Sequence, residues 1–317
     1  MTVSGTNTFN LVASQIVTKA FRILGVATSN RAPTAADMVS GIETLNIMLK
    51  SWKNAGTYLW KTNQATLFLV NGQASYKLDG STANVTDDYS ETTLDGNVIS
   101  GASSIIVNDA TGFVIGYFIG VEQDDETIHW TTISSVSGTT IGLTSALTAA
   151  ASSDNKVWAY QTKLGRPERV LSARYIDSNN NLSPCTMLAR DTYYNLPNKN
   201  NTGQVTQVYY EPKLTYGTIF CYNAPSVVGS VVKFTYEVQF FDFDTLINTS
   251  DFPTEWLLPI IYNLAYLLSF EYGISEERLN RIEGLAVKSL EDAQGYDREN
   301  TAIFFQPATE TYIGQFN

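Results

Sequence analysis

The chain of 317 residues holds one histidine, His129, and only two cysteines, Cys185 and Cys221. With a single histidine, a Ser-His-Asp triad or a three-histidine zinc site would have to be built around His129. That residue sits in the strand-like run Thr127-Ile128-His129-Trp130, and no nucleophile elbow is visible, so a hydrogen-bonded sheet histidine is expected. Two cysteines are too few for a disulfide framework in a chain of this size, and reduced, buried thiols are the expectation. No G-x-x-x-x-G-K-[ST] loop and no dinucleotide fingerprint occur, which leaves nucleotide use unsupported and no cofactor expected. Long apolar runs are missing too. The longest candidate, Trp256 to Phe270, is broken by Pro259, Asn263 and two tyrosines. None approaches the roughly 20 residues that a membrane span needs. Positive charge is scarce: 20 Lys and Arg stand against 31 Asp and Glu, a formal net charge of −11. Tight duplex binding needs clustered cations, so it is not expected. An acidic wall would still suit DNA that must slide past without sticking, although such a charge commonly serves solubility alone. The opening residues Met1-Thr2-Val3-Ser4-Gly5 lack a positive segment and an apolar core, so export by a signal peptide is not expected.

What is present is a division. Helical periodicity occupies both ends, and the long middle reads as strands and turns. At the N-terminal end, Thr8 is a candidate cap for a first helix over Phe9 to Leu24, with Gly25 as its stop. Thr34 with Asp37 three residues on resembles a capping box. Behind it Met38, Ile42, Leu45, Leu49 and Trp52 share one helix face, and Gly56 ends the run. At the other end, Pro253 and Thr254 open a helix with a wide apolar face from Trp256 to Leu268, and Pro259 predicts a late start or a kink. Gly273 ends it. Ser275 is the expected cap of a last helix, with Leu279, Ile282, Ala286, Leu290 and Ala293 facing inward. Helix pairs this short bury their apolar faces best against each other. The predicted fold class is therefore α+β: a discontinuous helical bundle formed from both termini, with a large inserted β region containing a nested small β-barrel or sandwich.

The expected division is 1–61 and 251–300 for the two helix pairs, 62–95 and 161–250 for a sandwich-like insertion, 96–160 for the nested module and 301–317 for an extended tail. Within the insertion, Asn71-Gly72 signals a hairpin between Gln64–Val70 and Ala74–Leu78. The Gly-, Ser-, Thr-, Asn- and Asp-rich stretch from Asp79 to Gly96 reads as a loop into the nested module. Five or six short strands punctuated by Gly101, Gly112, Gly116 and Ser137-Gly138 make up that module.

The two ends resemble the head-to-tail adaptor proteins, or tail accessory factors, of short-tailed bacteriophages. The residues that carry the likeness are GIETLNIMLKSW followed by Leu59-Trp60, then FPTEWLLPIIYNLAYLLSFEYG, a further helix, DREN at Asp297 to Asn300, and an aromatic tail. The nested β module departs from the shortest members of that family. The resemblance implies a structural virion protein, not an enzyme, placed at the head-tail junction and assembled in the host cytoplasm. It implies a dodecameric ring of copies under the portal protein that closes the head after DNA packaging. The same ring would form the platform for the next tail component, a nozzle or hub protein, with packaged DNA passing through the lumen. It further implies that the tail reaches the portal, which makes Asp297, Arg298, Phe304, Phe305, Gln306, Pro307 and Tyr312 the candidate partner-binding residues. Exposed aromatics at a chain end gain by burial against a partner. The tail folding back on its own helices is the competing reading.

Other functional readings rest on fewer residues. Glu122, Asp124, Asp125 and Glu126 form an acidic turn that could bind Ca²⁺ but lacks EF-hand spacing, and a solvated turn is favoured. A cell-wall hydrolase would need two carboxylates across a cleft. Glu43 and Glu283 are the nearest candidates, each next to a core position and so expected at the surface. A glycan-binding tail protein could stack sugar on Tyr89, Tyr117, Trp130 and Trp158, where core packing is the commoner explanation. Lys19, Arg22, Lys50 and Lys53 are candidate rim residues of a ring contact, or simply solvated.

Overall fold

A computed structural model describes residues 9–52, 59–199 and 201–297. The chain divides into two compact units, Met1–Trp60 with Phe240–Asn317 and, between them in sequence, Lys61–Gln239. It is a mixed α+β protein with most of its elements in strands.

The first unit is helical. Helix α1 spans Ala13–Leu24 and α2 spans Ala35–Trp52. Helices α4 (Leu257–Tyr272) and α5 (Glu276–Tyr296) follow much later in the chain. Ile16, Phe21, Leu45, Leu49, Trp256, Ile260, Leu264 and Leu268 share one buried cluster, so helices from both ends of the chain contribute to one core. Trp60 adds to it, with its ring 5.0 Å from Phe252 and 6.3 Å from Trp256.

Local chemistry explains where these helices begin and end. The box at α2 forms: Thr34 Oγ1 accepts from the Asp37 N–H at 3.2 Å, and Asp37 Oδ2 accepts from the Thr34 N–H at 2.8 Å. Gly25 closes α1 at φ +75°, a left-handed conformation that costs glycine little. The Arg278 guanidinium crowds the same spot, where a Cβ would come within 2.5 Å of Nη1. Arg278 Nε donates to the Ile23 carbonyl at 3.0 Å, so α5 puts a cation on the negative end of α1. Pro259 lies in the first turn of α4, where its missing N–H costs nothing, and a short 3-10 turn at Thr254–Trp256 precedes it.

Two readings of these helices change. The first helix starts at Ala13, because Val12 forms a β-bridge with Thr249 and Gln15 Oε1 takes the Val12 N–H at 3.2 Å. The proposed cap Thr8, like Lys53 and Gly56, lies outside the described residues. Ser275 holds the cap position of α5, but its side chain makes no capping hydrogen bond; only its carbonyl accepts, from the Leu279 N–H at 3.0 Å.

The second unit contains two large sheets. Strands β1 (Thr62–Phe68), β2 (Ser75–Leu78), β3 (Val85–Thr86), β10 (Arg169–Ile176), β11 (Leu182–Met187), β13 (Gln207–Pro212), β14 (Gly217–Tyr222) and β16 (Val231–Glu237) form an eight-stranded sheet in the order β2-β14-β13-β11-β10-β16-β1-β3. Leu67 and Val85 near one edge and Tyr76 and Leu78 at the other share one core with Tyr175, Val208 and Phe234. The sheet therefore wraps round its own apolar face. A short helix, α3 (Arg190–Tyr194), and a two-stranded pair, β12 (Thr202–Gly203) with β15 (Ala224–Pro225), complete this part.

Strands β4 (Ser90–Thr93), β5 (Ser104–Ile106), β6 (Phe118–Glu122), β7 (Ile128–Ser137), β8 (Thr140–Leu143) and β9 (Lys156–Tyr160) form the second sheet, in the order β4-β9-β6-β7-β8-β5. Its outer strands meet through the Leu94–Val107 bridge, which nearly closes it into a barrel. The barrel encloses Ile105, Ile119, Val121, Ile141 and Val157. It thus begins at Ser90, ahead of the expected start at residue 96, and part of the stretch read as a loop supplies β3 and β4. Asn71-Gly72 makes a turn with Gly72 at φ +72°, yet no hairpin follows. Strand β1 pairs with β16 and β3, and β2 pairs with β14, which places Leu67, Tyr76 and Leu78 in one shared core.

Candidate interaction surface

The helices of the first unit do not bury all their apolar side chains. Among the described residues, twelve of the twenty-one exposed large hydrophobic side chains belong to this smaller unit. Helical spacing explains part of this. Phe21, Leu45, Leu264 and Leu268 point into the core, which leaves Val39, Ile47, Leu258, Phe270, Leu285 and Val287 facing outward. The segment after residue 240 adds Phe241, at 71 % exposure, and Ile247, at 80 %. Asn46 anchors that segment, donating to the Phe243 carbonyl at 3.1 Å and accepting from the Phe243 N–H at 2.9 Å.

A groove of about 420 Å³ runs between α4 and α5. From α4 come Leu258, Pro259 and Tyr262; from α5 come Leu285, Ser289, Ala293 and Tyr296, which recur at helical spacing along one face. Glu255, Lys288 and Asp292 also line it. Asn263 braces the two helices beside it, donating to the Ala286 carbonyl at 3.1 Å. Tyr296, 80 % exposed, stands at the far end of α5.

Of the candidate partner-binding residues, Asp297 is the C-cap of α5, its N–H donating to the Ala293 carbonyl at 3.1 Å. Arg298, Phe304, Phe305, Gln306, Pro307 and Tyr312 lie outside the described residues. Among the candidate rim cations, Lys50 is already engaged by its own chain, 2.7 Å from Asp242 and 3.0 Å from the Phe240 carbonyl. Lys19 and Arg22 are on the exposed face of α1. The groove between α4 and α5 was not singled out in the sequence, although Leu258 and Leu285 could have signalled it as apolar positions off the main helix stripes.

The other candidate chemistry resolves into structure. His129 is half-buried on β7; its Nε2 lies 3.4 Å from the Ser145 hydroxyl and its Nδ1 3.4 Å from the Thr148 hydroxyl. A threonine hydroxyl, itself donating to Gln123 Oε1 at 2.8 Å, thus stands where a triad would have a carboxylate. Three of the four carboxylates of the acidic turn hold backbone, and Glu126 accepts from the Asn71 side-chain amide. Asp124 Oδ1 accepts from the Ser152 N–H at 2.9 Å and Asp125 Oδ1 from the Thr127 N–H at 3.2 Å. Glu122 Oε2 accepts from the Lys156 N–H at 3.1 Å, while burial pushes its pKa above the usual carboxylate range. Among the described residues no group of three His, Cys, Asp or Glu side chains is placed to hold a metal ion. Cys185 and Cys221 are free and buried, and burial pushes the Cys185 thiol up to about 11.

The four aromatics considered for sugar stacking pack against cores. Trp158 is fully buried and donates from Nε1 to Glu91 Oε2 at 2.9 Å. Tyr89 and Trp130 lie with it round Phe68, and Tyr117 lies against the barrel core. Glu43 and Glu283 are both exposed, and Glu283 accepts from the Tyr266 hydroxyl at 3.4 Å.

No protein-family model matches the chain. No curated protein sequence matches it either. Among solved structures, it is similar to the gp54 tailspike of Acinetobacter baumannii bacteriophage AP22 in complex with A. baumannii capsular saccharide, at 18% identity and a TM-score of 0.21. That likeness covers 23% of this chain and spans only 14% of the tailspike chain. It is also similar to VP17, a capsid protein of bacteriophage P23-77, at 9% identity over 60% of this chain and 77% of that one, with a TM-score of 0.12. At these TM-scores neither likeness bears on the fold or the function of this chain. No described helix is long and apolar enough to cross a membrane.

Proposed function

We propose that this chain is a structural bacteriophage virion protein, a head-to-tail adaptor whose copies ring the DNA exit channel beneath the portal. The observation that carries the reading is the helical unit itself. It draws on both ends of the chain, the segments that resemble adaptor proteins, and it leaves apolar helix faces uncovered. Exposed apolar surface of this kind calls for a partner. In a ring, each copy presents one face to its neighbour and a different face to the next, and closure covers both. The net charge of −11 suits a lumen that DNA must traverse without sticking. In this reading the helical bundle carries the ring and portal contacts, and residues 301–317 anchor to the portal through Phe304, Phe305 and Tyr312. The wrapped sheet and barrel form the platform toward a nozzle or hub protein.

The test is cryo-electron microscopy of purified portal mixed with this protein, intact and shortened after Thr301. A ring docked under the portal with the intact chain, and lost on shortening, is the expected result. No association with either form would sink the adaptor reading and bring forward a tail-associated glycan-binding or cell-wall-hydrolysing protein.

A further inference from the structure

The groove between α4 and α5 is apolar along its floor and opens beside Tyr296, the last residue of α5. Leu258 is 56 % exposed there and Leu285 47 %, so burying either against an occupant is favourable. The sequence then continues through Asp297-Arg298-Glu299-Asn300-Thr301-Ala302 to Ile303-Phe304-Phe305. We propose that this groove binds Ile303-Phe304-Phe305 of its own chain.

Length and polarity both fit. From Tyr296 back to Leu285 along a helix is roughly 16 Å, at 1.5 Å per residue. A chain that reverses just past Asp297 covers that distance with about five extended residues at 3.3 Å each. The first residues to reach Leu285 and Leu258 are then Ile303, Phe304 and Phe305, the first strongly apolar run after α5. The sequence between Asp297 and Ile303 is polar, as suits a linker, and Lys288 and Asp292 are among the charged residues that line the groove. Attachment to the same chain gives the segment a high effective concentration, so a short apolar contact suffices. The proposal does not depend on the portal, but it meets the adaptor reading at the same aromatics. A portal that captures Phe304 and Phe305 must take them from the groove.

Disulfide trapping in the full chain, without portal, tests this. Ser289→Cys lies in the groove and Glu291→Cys on the opposite side of α5; each is paired with Phe304→Cys. The native Cys185 and Cys221 are buried and do not compete. Mild oxidation is expected to give an intrachain bridge in the Ser289→Cys pair and not in the Glu291→Cys pair. An interchain product would overturn the proposal in favour of a second copy as occupant. Equal bridging in both pairs, or in neither, would overturn it outright. A second measurement avoids engineered cysteines: hydrogen exchange at the amides of residues 303–305 should be slowed about tenfold or more in the unmodified chain and released by Leu258→Glu. Unchanged exchange between the two proteins counts against the groove. Because neither experiment contains portal, its failure leaves the adaptor test standing.

Discussion

The β unit gathers its apolar side chains into closed clusters and exposes the rest singly, whereas the helical unit buries one stripe of each helix and leaves another open. In the β unit, one sheet wraps its own core, the other nearly closes, and Phe68, Trp158 and Tyr160 fill a third cluster, with the Phe68 and Trp158 rings 5.1 Å apart. Even its acidic turn is committed to backbone hydrogen bonds. Short helices with a broad apolar circumference have no comparable means of closing on themselves. Helix α4 is apolar almost all round, and four helices are too few to surround it: Leu258, Leu267 and Phe270 stay outside. On the proposed adaptor reading, the β unit is self-contained and the helices supply the partner contacts.

The largest effect expected is inside the β unit. Trp158 is fully buried, and its Nε1 satisfies Glu91. Trp158→Ala should cost about 3–5 kcal/mol, measured by urea denaturation with near-ultraviolet circular dichroism. A loss under about 1 kcal/mol would mean that this cluster is not a core, and the contrast between the units would weaken. Within the helical unit the sharpest packing test is Gly41. Alanine is the better helix former by about 1 kcal/mol. Here, however, a Cβ would lie 2.4 Å from Val17 Cγ1, so α1 and α2 approach too closely to admit it. Gly41→Ala should therefore destabilise by about 1–2 kcal/mol, and adding Val17→Ala should recover most of that loss. A stabilising Gly41→Ala would show that α1 and α2 are not held in close contact.

A smaller effect lies at the start of α2, where a hydrogen bond reaches the end of α4. The Tyr272 hydroxyl donates to Asp37 Oδ1 at 2.7 Å, and this bond, then those from Thr34, hold the Asp37 carboxyl below its usual range. Burial first, and the bond to Asp37 second, push Tyr272 up to about 12. The folded pKa of Asp37 is the lower one, so its contribution is complete above the unfolded value of about 4 and fades as pH falls through the folded value. For Tyr272 the folded value is the higher, so its contribution is complete below about 10 and is lost as pH rises through the folded value. Asp37→Asn should cost about 1 kcal/mol at neutral pH and flatten the acid limb of the stability profile below pH 4. An acid limb of unchanged slope would remove Asp37 from the contacts that join α2 to α4.

Much of this was legible from residue types at fixed spacing. Thr34 with Asp37, Gly25, and the Leu45, Leu49, Trp52 stripe each encode a local geometry, and each is found. The α+β class with a predominance of strands was legible for the same reason. Strand pairing was not, because Asn71-Gly72 specifies a turn but not which edges its flanking strands join. Those edges are chosen by burial against β14 and β16, more than a hundred residues away in sequence. Strands β3 and β4 were hidden because small polar residues in Asp79–Gly96 read as loop, while backbone pairing with β1 and β9 makes them strands. The α4–α5 groove was missed because it depends on which of two apolar stripes on α4 remains uncovered, a question only the packed structure answers.

The smallest expected change in stability is the one that tests the comparison most directly. Ile47 is 69 % exposed and Phe270 65 %, and both lie outside the α4–α5 groove. Replacing them with glutamine removes one exposed ring contact, Phe270 edge-to-face on Tyr266 with centroids 5.3 Å apart, and no fully buried one, so stability should move by no more than about 0.5 kcal/mol. If the open faces of the helical unit are the contact surface of the adaptor, the same Ile47→Gln/Phe270→Gln protein should lose about tenfold or more in association with portal, or in ring formation on it. The matched control is Ile99→Gln/Leu214→Gln in the β unit, at 78 % and 93 % exposure. Scattered exposed residues on a self-contained unit carry no such burden, and this pair should change neither stability nor association. If the control pair abolishes binding and the helical pair does not, the partner docks on the β unit. The uncovered helix faces would then be the ordinary apolar fraction of a protein surface.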